Sequence, residues 1–535
     1  MRTKNTLIFI ALLLLVACNK SEVDAENNDE SLENINETGM PIVKELIELD
    51  FFAQKAPTTA DDWNDVLVFS EYEKRSNIKV NWKMIPRESL EEKRNLALGS
   101  GDLPDAFHSS VMPVSDIMKY GEQGVFIPLN ELIDEHAPNL KKILDENPNV
   151  KKALTMPDGN IYSLPTMGDP EFLSLNIGAE PFINEKFLEH VGLEMPETTD
   201  DFYEYLKAVK ETDVIGDGET EAIPYGFDGI DTLVTYMTGA FGIANMGSAN
   251  ANIDLDPNTE ELRFYPITDR YKEMLEYLNK LYSERLIQQN IFTLETEQYH
   301  ANASNGLYGA SVTWSPVHMF GKEKGSEFTG MPALEGPHGD KMYTGISNPV
   351  HGIGSFLITR ENEHPVATIK WVDYFYGDEG MKLFFLGVEG VTFVETPDGE
   401  FEFMDHITDN EDGLSVEQAS SKYLTYSGGG FPAVITEKYF KGSESSPMAI
   451  EAAEELKPYL IAEPWGAFVY TKEENDKLDT FGADIDKYVT EMRDKFISGD
   501  VSFSDWNNYV ETIEGMGLEE YMNIKNAAYE RYEKN

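Results

Sequence analysis

The chain has 535 residues, with 96 Asp and Glu against 43 Lys and Arg, for a formal net charge of -53. Such a field repels phosphates before contact, which excludes nucleic acid as a partner. A single cysteine leaves no intrachain disulfide to stabilise the fold, and the length requires two lobes or more rather than one core.

Arg2 and Lys4 precede an uninterrupted apolar run from Leu7 to Ala17, with small Ala17 just before Cys18. This is the layout of a secretory signal, and the run falls short of the ~20 residues that span a bilayer. Leu15-Val16-Ala17-Cys18 resembles a bacterial lipobox. The motif implies that residues 1–17 are removed and that Cys18 carries lipid, each buried methylene contributing ~0.8 kcal/mol to anchoring at the outer face of the cell membrane. Residues 18–40 hold seven acids, one lysine and few apolar side chains. That composition cannot offset its ordering entropy, so a flexible acidic tether is expected there.

From residue 45 the pattern becomes regular. "ELIELDFF" is strand-like; Asp61-Asp62 then precede a helix bearing Val66, Leu67 and Tyr72; and "NIKVNWKM" alternates as a half-buried strand. Ser89 with Glu92 fits a capping box for a helix ending at Gly99, and "PDAFHSS" returns to strand. This β-α-β-α-β order predicts a parallel or mixed sheet covered by helices. Further helices are expected over 199–212, 269–286 and 365–385. At the carboxyl end, one helix is expected from Ser504 to Gly515 with Trp506, Tyr509, Val510 and Ile513 on one face, and another carrying Leu518, Tyr521, Met522, Tyr529 and Tyr532.

Seven stretches, in order, resemble the extracellular solute-binding proteins of carbohydrate ABC importers, in the long lipoprotein branch related to alginate-binding proteins. They are "WNDVLVFSEYEKRSNIKVNW", "LALGSGDLPDAF", "FIPLNELIDEHAPNLKKIL", "DGNIYSLP", "FINEKFLEHVGLEMPETTDDFYEYLKAVKETD", "YGDEGMKLFFLGVEGVTF" and "WNNYVETIEGMGLEEYMNIKNAAYERY". The resemblance implies an α/β, two-lobed periplasmic-binding-protein-like fold of type II, with mixed sheets flanked by helices and a ligand cleft between lobes. Lobe 1 is expected over 41–170, lobe 2 over 171–330, a return and crossover over 331–430, and a lobe 2 helical part over 431–535. It also implies a monomer that closes on a sugar or oligosaccharide and delivers it to permease subunits.

A sugar cleft requires flat aromatic platforms and hydrogen-bonding groups. Trp82, Trp371 and Trp506 lie in regular elements and are expected in the core. Trp63, Trp314 and Trp465 lie in segments broken by Asp, Ser, Pro or Gly and are the cleft candidates. Asp62 either contacts a hydroxyl or caps the following helix. Tyr225, Tyr343, Asn348 and His351 occupy Gly/Pro-rich stretches of the kind that line clefts in this family, and Tyr426 and Phe431 flank three glycines.

"DVIGDGETEA" aligns with a calcium loop, similar to an EF-hand, in alginate-type relatives. Asp213, Asp217, Glu219 and Glu221 remain as oxygen donors, while Ile215 and Ala222 replace two others. Calcium coordination by 6–8 oxygens is thereby weakened, and no cofactor is expected. No Gly-x-Ser-x-Gly elbow, Walker loop or His-Glu-x-x-His helix is present, so no catalytic residue is assigned. An exported glycan hydrolase using two of the many carboxylates, or a binding protein for a non-sugar ligand on the same scaffold, are the alternatives.

Overall fold

The computed structural model describes residues 32–55, 59–411, 416–426 and 429–534. The signal segment, Cys18 and the tether up to residue 31 lie outside them. The described strands are β1 Ile47–Lys55, β2 Ile78–Pro86, β3 Ala106–His108, β4 Leu164–Gly168, β5 Glu180–Asn184, β6 Ile223–Tyr225, β7 Ile253–Leu255, β8 Leu262–Phe264, β9 Tyr308–Thr313, β10 Phe328–Gly330, β11 Val350–Ile358, β12 Phe393–Glu395, β13 Phe401–Phe403 and β14 Ala433–Ile435.

Six of them form one sheet in the order β14-β4-β11-β3-β1-β2, in which β11 alone runs against its neighbours. Side chains alternate across it. Phe51, Trp82 and Phe356 pack with Trp371 on one face, whereas Phe52, Phe107 and Leu357 pack on the other. Four more strands form a second sheet, β10-β5-β9-β6. Its core takes Phe202 and Leu206 from helix Thr199–Glu211, Met274 and Leu278 from helix Asp269–Ser283, and Trp506, Tyr509 and Tyr521 from the two helices at the carboxyl end.

Several predicted elements differ in detail. Helix Leu90–Ser100 runs past Gly99 and is closed by Gly101 at φ 76°, and Ser89 turns its hydroxyl back to Pro86 O (3.2 Å) instead of capping. The 365–385 helix is broken into Pro365–Asp373 and Asp378–Leu386. Between them Gly377 is extended, and a Cβ there would lie 2.9 Å from the Asn139 side chain.

Residues 32–40, expected within the tether, are instead part of a small hairpin. Ile35 bridges Val43, Asn36 N donates to Ile42 O (2.9 Å), and Lys370 Nζ donates to Glu37 O (2.7 Å). Buried Ile42 and Val43 supply the apolar hold that the acidic residues alone lack. The expected division at 431 also shifts. β14 belongs to the first sheet, while Met331, Leu334, Tyr343 and Ile346 pack into the second core. Three segments therefore connect the sheets: 169–179, 331–349 and 436–446.

Candidate functional site

β1, β2, β3, β4 and β14 all end on one edge of the first sheet, from which two connecting segments leave and into which the third returns. In open α/β sheets, ligands collect beyond the carboxyl ends of the strands.

The loop after β3 is the most constrained backbone on this edge. Ser109 and Val111 both have positive φ, 51° and 46°, and a β-branched residue there carries strain of about 1–3 kcal/mol. The surroundings hold it in place. Ser109 N donates to Ser355 O (2.8 Å), Met112 N to Gly354 O (3.2 Å), and buried Arg94 donates through Nη1 to Ser110 O (3.0 Å) and Val111 O (2.8 Å). Position 354 must be glycine, because a Cβ there would lie 2.2 Å from Met112 O. The loop thus presents Val111 at 54% exposure over a buried Ser110 whose hydroxyl has no partner. Burial lowers the His108 pKa to about 3, so its ring is neutral with Nδ1 2.9 Å from Ser109 Oγ. Nothing in the expected strand "PDAFHSS" marks this loop; Ser-Ser-Val-Met-Pro, lacking glycine, disguises a left-handed turn.

The connecting segments are joined by side chains. Asn176 donates through Nδ2 to Asp169 O (2.8 Å), accepts at Oδ1 from His351 Nε2 (3.2 Å), and its carbonyl accepts from Ser347 N (2.9 Å). A Cβ on Gly168 would lie 2.7 Å from Asn176 Oδ1 and 2.8 Å from His351 Nε2, so glycine permits this approach. His351 is exposed overall, but its bonded nitrogen is half-buried, and desolvation holds its pKa below the ordinary value. Ser174 Oγ donates to Glu444 O (2.8 Å), and Ser446 Oγ to Ser315 Oγ (3.1 Å).

Glu180, the first residue of β5, sits beneath this junction. It is fully buried, and neither carboxyl oxygen has a hydrogen-bond partner. Desolvation, with the negative Glu444 nearby, raises its pKa to about 10, so it is a neutral carboxylic acid at pH 7. Sequence reading passed over it as one acid among 96.

The expected cleft residues divide by exposure. Trp314, just past β9, is 45% exposed. Trp63 and Trp465 are not platforms. Trp63 is buried among Phe69, Trp82 and His108, and Trp465 between Phe468 and Tyr529, because each loop folds its ring onto neighbouring aromatics. Asp62 is exposed and caps the turn Trp63–Asp65 by accepting from Asn64 N (2.9 Å). Tyr225 and Tyr343 are also buried; Tyr343 donates to Ala179 O (2.6 Å), while the Tyr225 hydroxyl is unpartnered. Asn348 is buried with Oδ1 accepting from Val350 N (3.0 Å) and Nδ2 unpartnered. Phe431 packs on Phe384 and Phe385, and half-buried Tyr426 on Phe385 and Phe440. Trp371 and Trp506 are buried and Trp82 partly so, each within a packed aromatic group.

The Asp213 loop is closed on itself. Asp213 accepts from Gly216 N (2.8 Å) and Gly218 N (3.0 Å), and Asp217 from Glu219 N, Thr220 N and the Thr220 hydroxyl, which lowers its pKa to about 2. Ile215 packs against the second core. Among the described residues, no group of three or more His, Cys, Asp or Glu is placed to hold a metal ion. Ile215 and Ala222 bring no side-chain oxygen to this loop, which leaves Asp213, Asp217, Glu219 and Glu221 as its acidic residues.

The chain is 28% identical over 556 residues to the fructooligosaccharide ABC transporter substrate-binding protein FusA of Streptococcus pneumoniae serotype 4 (strain ATCC BAA-334 / TIGR4), covering 100% of this chain and 98% of that one. A solved structure of FusA in complex with kestose matches with a TM-score of 0.71 over 91% of this chain and 100% of that one, at 28% identity. Lipoprotein LipO of Bacillus subtilis (strain 168) is 24% identical over 99% of both chains. The alginate-binding protein AlgQ2, solved without calcium ion, is similar in fold, at 22% identity and a TM-score of 0.66 over 91% of this chain and 99% of that one. The two sheets and their three connections are thus the two α/β lobes of the type II periplasmic-binding-protein fold. A family model for bacterial extracellular solute-binding proteins matches residues 56–382, and the chain belongs to that family.

Proposed function

We propose that the chain is a substrate-binding lipoprotein that captures a sugar or oligosaccharide between its lobes and hands it, chemically unchanged, to the permease subunits of an ABC importer. End-to-end kinship with FusA, named for fructooligosaccharide and solved with kestose, carries this reading. The lipobox at Cys18 and the kinship with LipO support lipid anchoring at the outer face of the membrane.

Ligand joins the 109–112 loop of one lobe to Trp314 of the other. The ring stacks on sugar C–H faces, the serines and backbone amides of the loop meet hydroxyls, and Asp62, His351 and Tyr426 border the opening. Trp63, Tyr225, Tyr343, Asn348, Phe431 and Trp465 shape the walls from behind. Contacts made in the closed form alone shift the lobes toward closure, and moving a pair from mostly open to mostly closed takes ~5.5 kcal/mol of differential affinity. The protein acts as a monomer without cofactor, and the Asp213 loop holds its turn through hydrogen bonds without calcium.

A thermal-shift screen of the mature protein against oligosaccharides tests the reading, since a ligand at 100 times its Kd adds ~2.7 kcal/mol of stability. The expected result is stabilisation by at least one oligosaccharide, recovered intact. Cleavage products would establish the hydrolase instead, and stabilisation by peptides or lipids alone would establish a non-sugar ligand.

A further inference from the structure

We propose, resting on the sugar-capture reading, that the backbone amide of Val111 is a ligand-binding donor in the cleft and that Arg94 is the residue that positions it.

Arg94 lies on the inward face of helix Leu90–Ser100, beside buried Leu90, Ala97 and Leu98, and is itself only 6% exposed. Packing gives no reason for a charge there, since a methionine would fill the same space without losing the hydration of a guanidinium. Among the described residues Arg94 makes no ion pair, its Nε has no partner, and Glu91 and Asp116 act on it only through their field. The bonds it does make both come from Nη1 and both end on the loop after β3, at Ser110 O (3.0 Å) and Val111 O (2.8 Å).

In an extended strand, successive carbonyls point to opposite sides, and one nitrogen does not reach both. The positive φ of Val111, 46°, turns the two carbonyls the same way. A trans peptide holds its N–H antiparallel to its C=O. The amides of these two peptides, on Val111 and Met112, are therefore directed away from Arg94. Met112 N finds Gly354 O at 3.2 Å, whereas Val111 N has no acceptor among the described residues. Val111 is 54% exposed, so its free N–H lies on the open side of the loop while its carbonyl meets the buried guanidinium. A cation on the carbonyl polarises the peptide and strengthens the N–H as a donor. The group that fits such a donor is a sugar oxygen, and the strain at Val111 is what turns the donor toward it.

Mature protein carrying isotope-labelled valine provides the test, through hydrogen exchange and proton shift at the Val111 amide beside titration calorimetry. The probes are short fructo-, gluco- and galacto-oligosaccharides and galacturonates. The expected result is a Val111 amide that exchanges without protection in the free protein, slows at least about tenfold with the tightest probe, and moves downfield as it gains an acceptor. Arg94→Met should weaken that probe at least about tenfold and lose both changes at Val111, and Arg94→Lys, which keeps a cation, should recover part of each. A wild-type Val111 amide whose exchange and shift ignore a bound probe overturns the inference and leaves the sugar reading standing. A folded Arg94→Met that binds like wild type, with Val111 still protected, overturns the positioning role whatever its urea midpoint. If Arg94→Met does not fold, Arg94→Lys stands in for it: weaker binding with a smaller Val111 shift supports the role, and unchanged binding overturns it. Binding of no probe overturns the sugar reading and this inference with it.

Discussion

Replacing Glu180 by glutamine isolates the consequence of burying an unpartnered carboxyl at the lobe junction. An unfolded glutamate titrates near 4.5, whereas this one titrates near 10. Between those values the folded chain carries one proton more than the unfolded chain, so stability falls as pH rises through that window. Below pH 4.5 both states are protonated and the penalty vanishes. At about 1.4 kcal/mol per pH unit, the wild type loses about 3 kcal/mol between pH 4.5 and pH 7 through this one group. Glu180→Gln is neutral throughout and escapes the loss, so its advantage is under about 1 kcal/mol at pH 5, about 3 kcal/mol at pH 7 and larger at pH 9. Glu180→Met removes the polar atoms altogether and should show the same divergence with pH. Urea unfolding of the three proteins at pH 5, 7 and 9 reads the differences directly. Parallel stability curves for wild type and both variants would refute the reasoning, since they would mean that the carboxyl is ionised and compensated in the folded state.

Trp314→Ala should weaken oligosaccharide binding by at least tenfold, or ~1.4 kcal/mol, with stability changed by under about 0.5 kcal/mol, as measured by titration calorimetry beside urea unfolding. Trp465→Ala should do the reverse, removing about 3–5 kcal/mol of stability because it empties a site packed by Phe468 and Tyr529. Val111→Gly should raise the denaturation midpoint by relieving about 1 kcal/mol of backbone strain while lowering ligand affinity, because a freer loop must be ordered on binding. Millimolar calcium or a chelator should leave the thermal midpoint unchanged; a rise of several degrees with calcium would show that the Asp213 loop opens to coordinate it.

Elements whose residues repeat with a local period were legible in the sequence. Alternation in "NIKVNWKM" gave β2, and Trp506, Tyr509 and Ile513 gave a helix whose buried face is formed by those residues. Where a distant neighbour decided the local backbone, the pattern misled. Asn139 breaks the 365–385 helix at Gly377 from more than two hundred positions away, and Lys370 holds residues 36 and 37, which composition alone assigns to a solvated tether.

The site was harder to read for the same physical reason. An aromatic ring in an irregular segment has no period to report which way it faces, so Trp63, Trp314 and Trp465 looked alike although only Trp314 is open to solvent. Strain is equally silent. Val111 adopts φ 46° because Arg94, Ser355 and Gly354 hold the backbone on either side of it, and none of those residues is adjacent to it in the chain. Glu180 is the sharpest case, since its chemistry depends entirely on what is missing around it. One carboxylate among 96 becomes a neutral acid only because three connecting segments converge above it and leave it no donor. A group held so far from its solution state is sensitive to small movements of those segments, because its pKa is set by what they keep away from it.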